Sequence, residues 1–408
     1  MNVKQSLIRW LNAAFAFAAI AIPTASALSR VAVDSAWRDD LATVRGLGLV
    51  PIAEPASITC AFMQLASLFP IGPLTFRMGV VSAFALGACA ALIQSIARRI
   101  LETHVKDSQL TPAIAAMAAL TASLGPALQR EATVSGGATV SLAAALAFLD
   151  FHTAREQGES PMMVFGALAL GAVLAESPIA ATAVLVAAAC AIAFSPNRPS
   201  KTQLGIHAAV ALGLAAVLAL PVLLRSSPDA WLDLGRAFVP TGLLSLDTAA
   251  RPTTAIAAWR SEVGTISLAI AGLGVVVGIL RKRTRTMVIP LLVLIAVDVA
   301  FPASSGAVLT LDSLMPLRML AVAAVAICAG LGLQVATTTL VDTGLPMARV
   351  AAVLLVAFNL TLVTVTAEQA AYSIDRSSSR STETFTDEAL LPLETGALVF
   401  VRSHAMMW

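Results

Sequence analysis

Asp39 and Asp40 stand side by side in a polar stretch that follows the first apolar run of the chain. Paired carboxylates beside a membrane can act as general base on an acceptor hydroxyl, or hold a divalent ion against a lipid diphosphate. Arg38 and Arg45 flank them, so the plain alternative is an ordinary solvated helix face. Glu131 and Glu176 fall where two apolar runs meet, on the same expected side of the membrane as Asp39, and three such acids could line one membrane-level cleft. Either glutamate could instead end its helix in water, and Glu176-Ser177-Pro178 has the chemistry of a turn. Asp298 sits near the end of an apolar run; an acid at that depth is costly enough to count as a functional candidate, with Arg318 as its expected partner. The plain alternative is that Pro302 ends the helix and Asp298 reaches interfacial water. Residues 225–262 combine Asp229, Asp233, Arg236, Asp247, Arg251 and Arg260 with Trp231 and Trp259. That mixture suits a headgroup or phosphate site, or simple interfacial anchoring. His104, His152, His207 and His404 are far apart, and Cys60, Cys89, Cys190 and Cys328 sit singly in apolar runs, so neither type forms a metal-ligand set. No Gly-rich phosphate loop, Ser-His-Asp arrangement or H-E-x-x-H motif occurs.

The elements that must position these residues follow from composition. Of 408 residues, 58% are hydrophobic and 12% charged, whereas a soluble domain carries roughly 25% charged residues. Apolar stretches of about 20 residues without strict alternation are membrane-spanning helices, because only helices and closed barrels satisfy their backbone groups in hydrocarbon. The sequence therefore predicts an all-α polytopic integral membrane protein with about eleven transmembrane helices. The expected spans are 7–28, 76–97, 111–128, 133–149, 162–175, 179–194, 204–224, 263–280, 287–301, 317–340 and 350–366. The first is read as an uncleaved helix, although Ala25-Ser26-Ala27 resembles a signal-peptidase site. Residues 58–69, broken by Pro70-Ile71-Gly72-Pro73, suit an interfacial or re-entrant piece.

A cytoplasmic N-terminus puts Lys4, Lys106, Lys201, Lys282 and the Arg98-Arg99 and Arg281-to-Arg285 clusters inside. Segments 28–57 and 225–262 then form exterior loops, the first amphipathic. A transmembrane domain covers 1–366, and 367–408 is an exterior linker and tail. The net charge of +2 and the scattered arginines exclude a nucleic-acid groove. No internal repeat or matched pair of interrupted helices points to an inverted-repeat transporter.

The order of features resembles the GT-C superfamily of polytopic glycosyltransferases, in particular a bacterial domain-of-unknown-function branch similar to protein O-mannosyltransferases. The residues that carry the resemblance are Asp39-Asp40, Gly48-Leu49-Val50, Phe69-Pro70-Ile71-Gly72, Phe76-Arg77 and Ser82-Ala83, with weaker echoes at Gly171 to Pro178 and Leu393 to Leu398. The resemblance implies transfer of sugar from a polyprenyl phosphate at the exterior face to a protein or glycan acceptor. Asp40 would be the base or metal-facing acid with Asp39 beside it, Glu131 and Glu176 would face substrate, and Arg236 or Arg251 would meet the donor headgroup. A divalent metal would be a possible cofactor. The chain departs from the pattern where a His-Pro-Pro-Gly stretch reads Pro51-Ile52-Ala53-Glu54, where a His before Pro178 is missing, and where the exterior C-terminal domain is absent. Those departures keep open a divergent, truncated or non-catalytic homologue. A transporter or flippase, or a non-catalytic membrane partner of an assembly, are the other function classes.

Overall fold

The computed structural model describes residues 3–32, 56–105, 109–158, 162–195, 198–224, 251–301, 308–345 and 347–377. Every regular element among them is a helix. In chain order they are α1 (Val3–Leu28), α2 (Ser57–Ser67), α3 (Leu74–His104), α4 (Thr111–Ser123), α5 (Pro126–Thr133), α6 (Thr139–Glu156) and α7 (Met162–Glu176). There follow α8 (Pro178–Phe194), α9 (Lys201–Leu223), α10 (Arg251–Val263), α11 (Thr265–Leu280), α12 (Lys282–Ala300), α13 (Val308–Asp342) and α14 (Ala348–Ile374). This is a membrane-embedded all-α protein. Five described helices are long and apolar enough to cross a bilayer, or seven if two bent pairs are each one span, against the eleven expected.

The differences have local causes. The expected span 111–128 bends by 63° between α4 and α5. Gly125 there precedes Pro126, which takes the first position of α5, where its missing N–H costs nothing. The expected span 133–149 starts later, at Thr139, after a turn through Gly136 and Gly137. Residues 225–262, expected as a loop, end in helix α10, which meets α11 at 112° across Gly264. Residues 367–374, assigned to the linker, continue helix α14.

α13 is the axis of the bundle. It packs against α11, α12, α4, α14, α3, α8 and α6, and 89% of its most apolar stretch is buried. Its tightest neighbour is α11, where Gly274 and Gly332 bring two backbones together: a Cβ on Gly332 would lie 2.1 Å from the Ile270 carbonyl oxygen. In hydrocarbon, such close backbone approach through small residues is a main source of helix association.

Helix ends alternate between two faces. At one, the Arg376 N–H donates to the Arg30 carbonyl (3.2 Å) and the Arg376 guanidinium to that of Thr133 (3.2 Å), so α1, α5 and α14 end together. At the other, Arg281 donates to the His104 carbonyl (3.3 Å) and Arg99 pairs with Asp150 (3.4 Å), which joins the ends of α3 and α6 to the α11–α12 turn. Glu131, Glu176, Glu262 and Asp298 collect at the first, acidic end.

Candidate functional site at the acidic end of the bundle

Glu176 is the last residue of α7, and its buried carboxylate accepts from the backbone N–H groups of Ile58 (2.8 Å) and Thr59 (3.1 Å) and from the Thr59 hydroxyl. Those N–H groups open α2, where a helix has unsatisfied donors and a partial positive charge. α2 lacks a cap of its own, because Ala56 stands at its N-cap. Glu176 supplies one from across the fold, while the next residue, Ser177, caps α8 by accepting from the Ala180 N–H (3.4 Å).

The opposite end of α2 is held by Arg77. Its guanidinium donates to the carbonyls of Ala66 (3.2 Å), Ser67 (3.1 Å), Ile71 (3.0 Å) and Gly72 (2.8 Å). Gly72 turns the chain at φ +62°, a left-handed value that other residues rarely adopt. The Pro70-Ile71-Gly72 and Phe76-Arg77 stretches, singled out in the sequence as a motif, thus form a C-terminal stop for α2 and a cationic partner for its last carbonyls.

Glu131 follows the same logic. It is buried in α5 and accepts from the Ala138 N–H (3.2 Å), immediately before α6. Gly137 folds so closely over it that a Cβ there would sit 1.9 Å from the Glu131 carbonyl oxygen. Glu262, which the sequence reading did not single out, accepts from the Ala127 N–H (2.8 Å) in the first turn of α5. Three glutamates therefore serve three helix starts. Each pairing joins a side chain to a backbone donor, so residue types alone carried no signal for it; the nearest clue to Glu262 was its place beside Trp259 ahead of Gly264.

Asp298 is different, since its partners are side chains. The Arg318 Nε donates to Oδ1 (3.0 Å) and lies 2.9 Å from Oδ2, and the Trp259 indole donates to Oδ2 (2.7 Å). The Arg318 partnership is the expected one. The alternative, with Asp298 reaching water, is overturned by its complete burial. Arg251 donates to the Ala300 carbonyl (3.1 Å), at the end of α12. With Trp259, it ties α10 across that helix end.

The structure brings Glu262 into the electrostatic field of Arg318, Arg130 and Asp298. A cleft of about 180 Å³, including space open to solvent, lies beside Glu262 and is lined by Thr121, Leu124, Gly125, Val263, Val363 and Thr366. Neither Glu131 nor Glu176 lines it. Asp39, Asp40 and Arg236 lie outside the described residues. Among the described residues no group of three or more His, Cys, Asp or Glu side chains could hold a metal ion.

The fold is a central buried helix ringed by apolar helices, with polar contacts concentrated at the helix ends. Solved structures that share it include those of an oligosaccharyltransferase from Archaeoglobus fulgidus. The complex of that enzyme, AglB, with an inhibitory peptide and a dolichol-phosphate is 11% identical, covers 93% of this chain and 58% of its own, and superposes with a TM-score of 0.59. The complex with Zn and sulfate is 12% identical over 90% of this chain and 54% of its own, at a TM-score of 0.56. The apo form is 12% identical over 91% and 57%, at 0.57. This chain spans little more than half the length of these neighbours, and at such identity the likeness is one of fold. No family model matches the chain, and no curated protein does.

Proposed function

We propose that this chain is a GT-C-like membrane glycosyltransferase that uses a polyprenyl-phosphate sugar at the exterior face of a bacterial inner membrane. The observation that carries the reading is a fold correspondence over nine-tenths of the chain with an oligosaccharyltransferase, one of whose structures holds a dolichol-phosphate and a peptide. In this reading the acidic end of the bundle faces the exterior, and Asp40, with Asp39 beside it, activates the acceptor hydroxyl or faces a divalent ion. Arg236 and Arg251 meet the donor phosphate. Glu131 and Glu176 serve the site from beneath it, since their carboxylates carry helix starts. A transporter would need Asp298 or another intramembrane charge on a water path, and the burial and pairing of Asp298 weigh against that residue.

Asp40→Asn is expected to reduce sugar transfer from a polyprenyl-phosphate donor in isolated membranes by roughly 10²-fold or more, the usual contribution of a general base, with the amount of protein unchanged. Transfer at the original rate would refute the assignment of Asp40. A second reading, a non-catalytic membrane partner, draws on Pro51-Ile52-Ala53-Glu54 standing in place of a His-Pro-Pro-Gly stretch. The same assay separates the two, because a non-catalytic partner transfers nothing before mutation.

A further inference from the structure

We propose that Glu176 and Arg77 are positioning residues that hold α2 by its two ends, and so fix the point from which the segment bearing Asp39 and Asp40 departs. The role in transfer rests on the function proposed above; the clamp itself does not. α2 has 11 residues, shorter than the roughly 12–15 at which an isolated helix becomes even marginally stable in water. Only one face is buried, through Ser57, Thr59, Cys60, Met63 and Ala66. Its apolar seat is small: Met63 and Ala66 pack with Met78 and Val81 of α3, α7 and α9 touch the helix as well, and Phe62, Leu65 and, just past its end, Leu68 are exposed.

What the helix lacks in buried area it gains at its ends. A carboxylate meets the positive N-terminal end and a guanidinium meets the negative C-terminal end, both with the sign that the helix dipole favours. The two charged side chains come from different helices, α7 and α3, so α2 is strung between them. Its first residue, Ser57, closely follows 33–55, the segment that carries Asp39 and Asp40. The other end of that segment is also tied: Arg30 donates to the Gln129 side chain (3.5 Å) and accepts from the Arg376 N–H (3.2 Å). Displacing α2 would therefore move one of the two described anchors that flank the proposed catalytic segment, while Arg251, held on the Ala300 carbonyl, keeps its place.

Cys60 reports on the clamp. It lies on the buried face of α2 itself, and a loosened end contact exposes it without reference to activity. In the full chain in nanodiscs, with Cys89, Cys190 and Cys328 replaced by Ala, a membrane-impermeant maleimide is expected to modify Cys60 slowly. Arg77→Gln and Glu176→Ala should each raise that rate about tenfold, as expected when a helix end loses a charged partner. Glu176→Gln, which keeps an acceptor oxygen, should recover part of the protection. A parallel background that keeps only Cys190, on α8, should label at one rate in all variants and shows that the bundle is intact. In the transfer assay the same variants should lower kcat and leave KM for the donor unchanged, with Glu176→Gln again intermediate. Unchanged Cys60 rates in both Arg77→Gln and Glu176→Ala would overturn the clamp. Raised rates with unchanged kcat would overturn the positioning role. A starting protein that transfers no sugar would count against the proposed function, and the Cys60 rates would still decide the clamp.

Discussion

Gly332→Ala is expected to lower the melting temperature of the detergent-solubilised protein, and Gly332→Leu to prevent recovery of a monodisperse protein at all. The reason is the crossing of α11 and α13. A Cβ on Gly332 would stand 2.1 Å from the Ile270 carbonyl oxygen and 3.0 Å from the Gly274 nitrogen, and a Cβ on Gly274 would stand 1.9 Å from the Cys328 carbonyl oxygen. All of these are backbone atoms, which no rotamer change can move aside. Gly274 and Gly278 form a small-xxx-small pair on α11, with Cys328 and Gly332 opposite on α13, and association in hydrocarbon depends on such contact because no hydrophobic drive separates helix from lipid. Overpacking of a tight contact costs about 1–3 kcal/mol for small additions and more for a branched side chain. Gly272→Ala supplies the control. It lies on the same helix with nothing within 4 Å of its added Cβ, so it should be neutral or stabilise slightly through helix propensity. Equal melting temperatures for Gly332→Ala and Gly272→Ala would contradict the crossing.

That crossing also marks where the sequence stops being informative. α9 and α13 are about equally apolar, yet 6% of the apolar stretch of α9 is buried against 89% in α13. Composition cannot separate them, because lipid and protein interior select the same side chains. The all-α class was legible for the complementary reason, since long apolar runs admit few other structures in a bilayer. Helix breaks were legible only in part. Pro70 to Pro73 signals a break, whereas Gly125-Pro126 lies inside a span that hydropathy alone draws as continuous.

The candidate site divides in the same way. Asp298 and Arg318 could be paired from the sequence because a charge buried in an apolar run must have a partner of opposite sign. Glu131 and Glu176 could be singled out, but their partners are backbone N–H groups, and every residue except proline has one. For Glu176 the donors lie 118 and 117 residues away, at Ile58 and Thr59. Glu262 had no apolar run around it to make its charge conspicuous. The acids that geometry ties to helix starts thus look, in sequence, much like acids that do chemistry.

Removing one member of the Asp298–Arg318 pair is expected to be the most damaging change at the acidic end. Arg318→Met leaves a carboxylate with no exposure to solvent and only the Trp259 indole as a described donor. Asp298→Leu leaves the Arg318 guanidinium buried without its counter-charge and deprives the indole of its acceptor. Each single change should cost about 3–5 kcal/mol, the usual penalty for an uncompensated buried charge. Trp259→Phe removes one hydrogen bond and keeps both charges, so a loss of about 1 kcal/mol is expected. The double replacement Asp298→Leu with Arg318→Met removes both charges together. It should regain most of the stability, because a buried pair need not outperform apolar side chains of similar size. Melting temperatures of the starting protein, the Asp298→Leu and Arg318→Met singles and the double variant in one detergent form a double-mutant cycle, and strictly additive losses would show that the two side chains do not act as a pair. The expected strong coupling has a structural meaning. Asp298 near the end of α12, Arg318 on the central helix and Trp259 on α10 meet at one carboxylate, so the pair fixes the tilt of α10 over the bundle. Activity should therefore fall in the singles and recover in the double variant if the pair acts by holding α10; a double variant that regains stability while transfer stays lost would instead place one of the two charges in the transfer reaction itself.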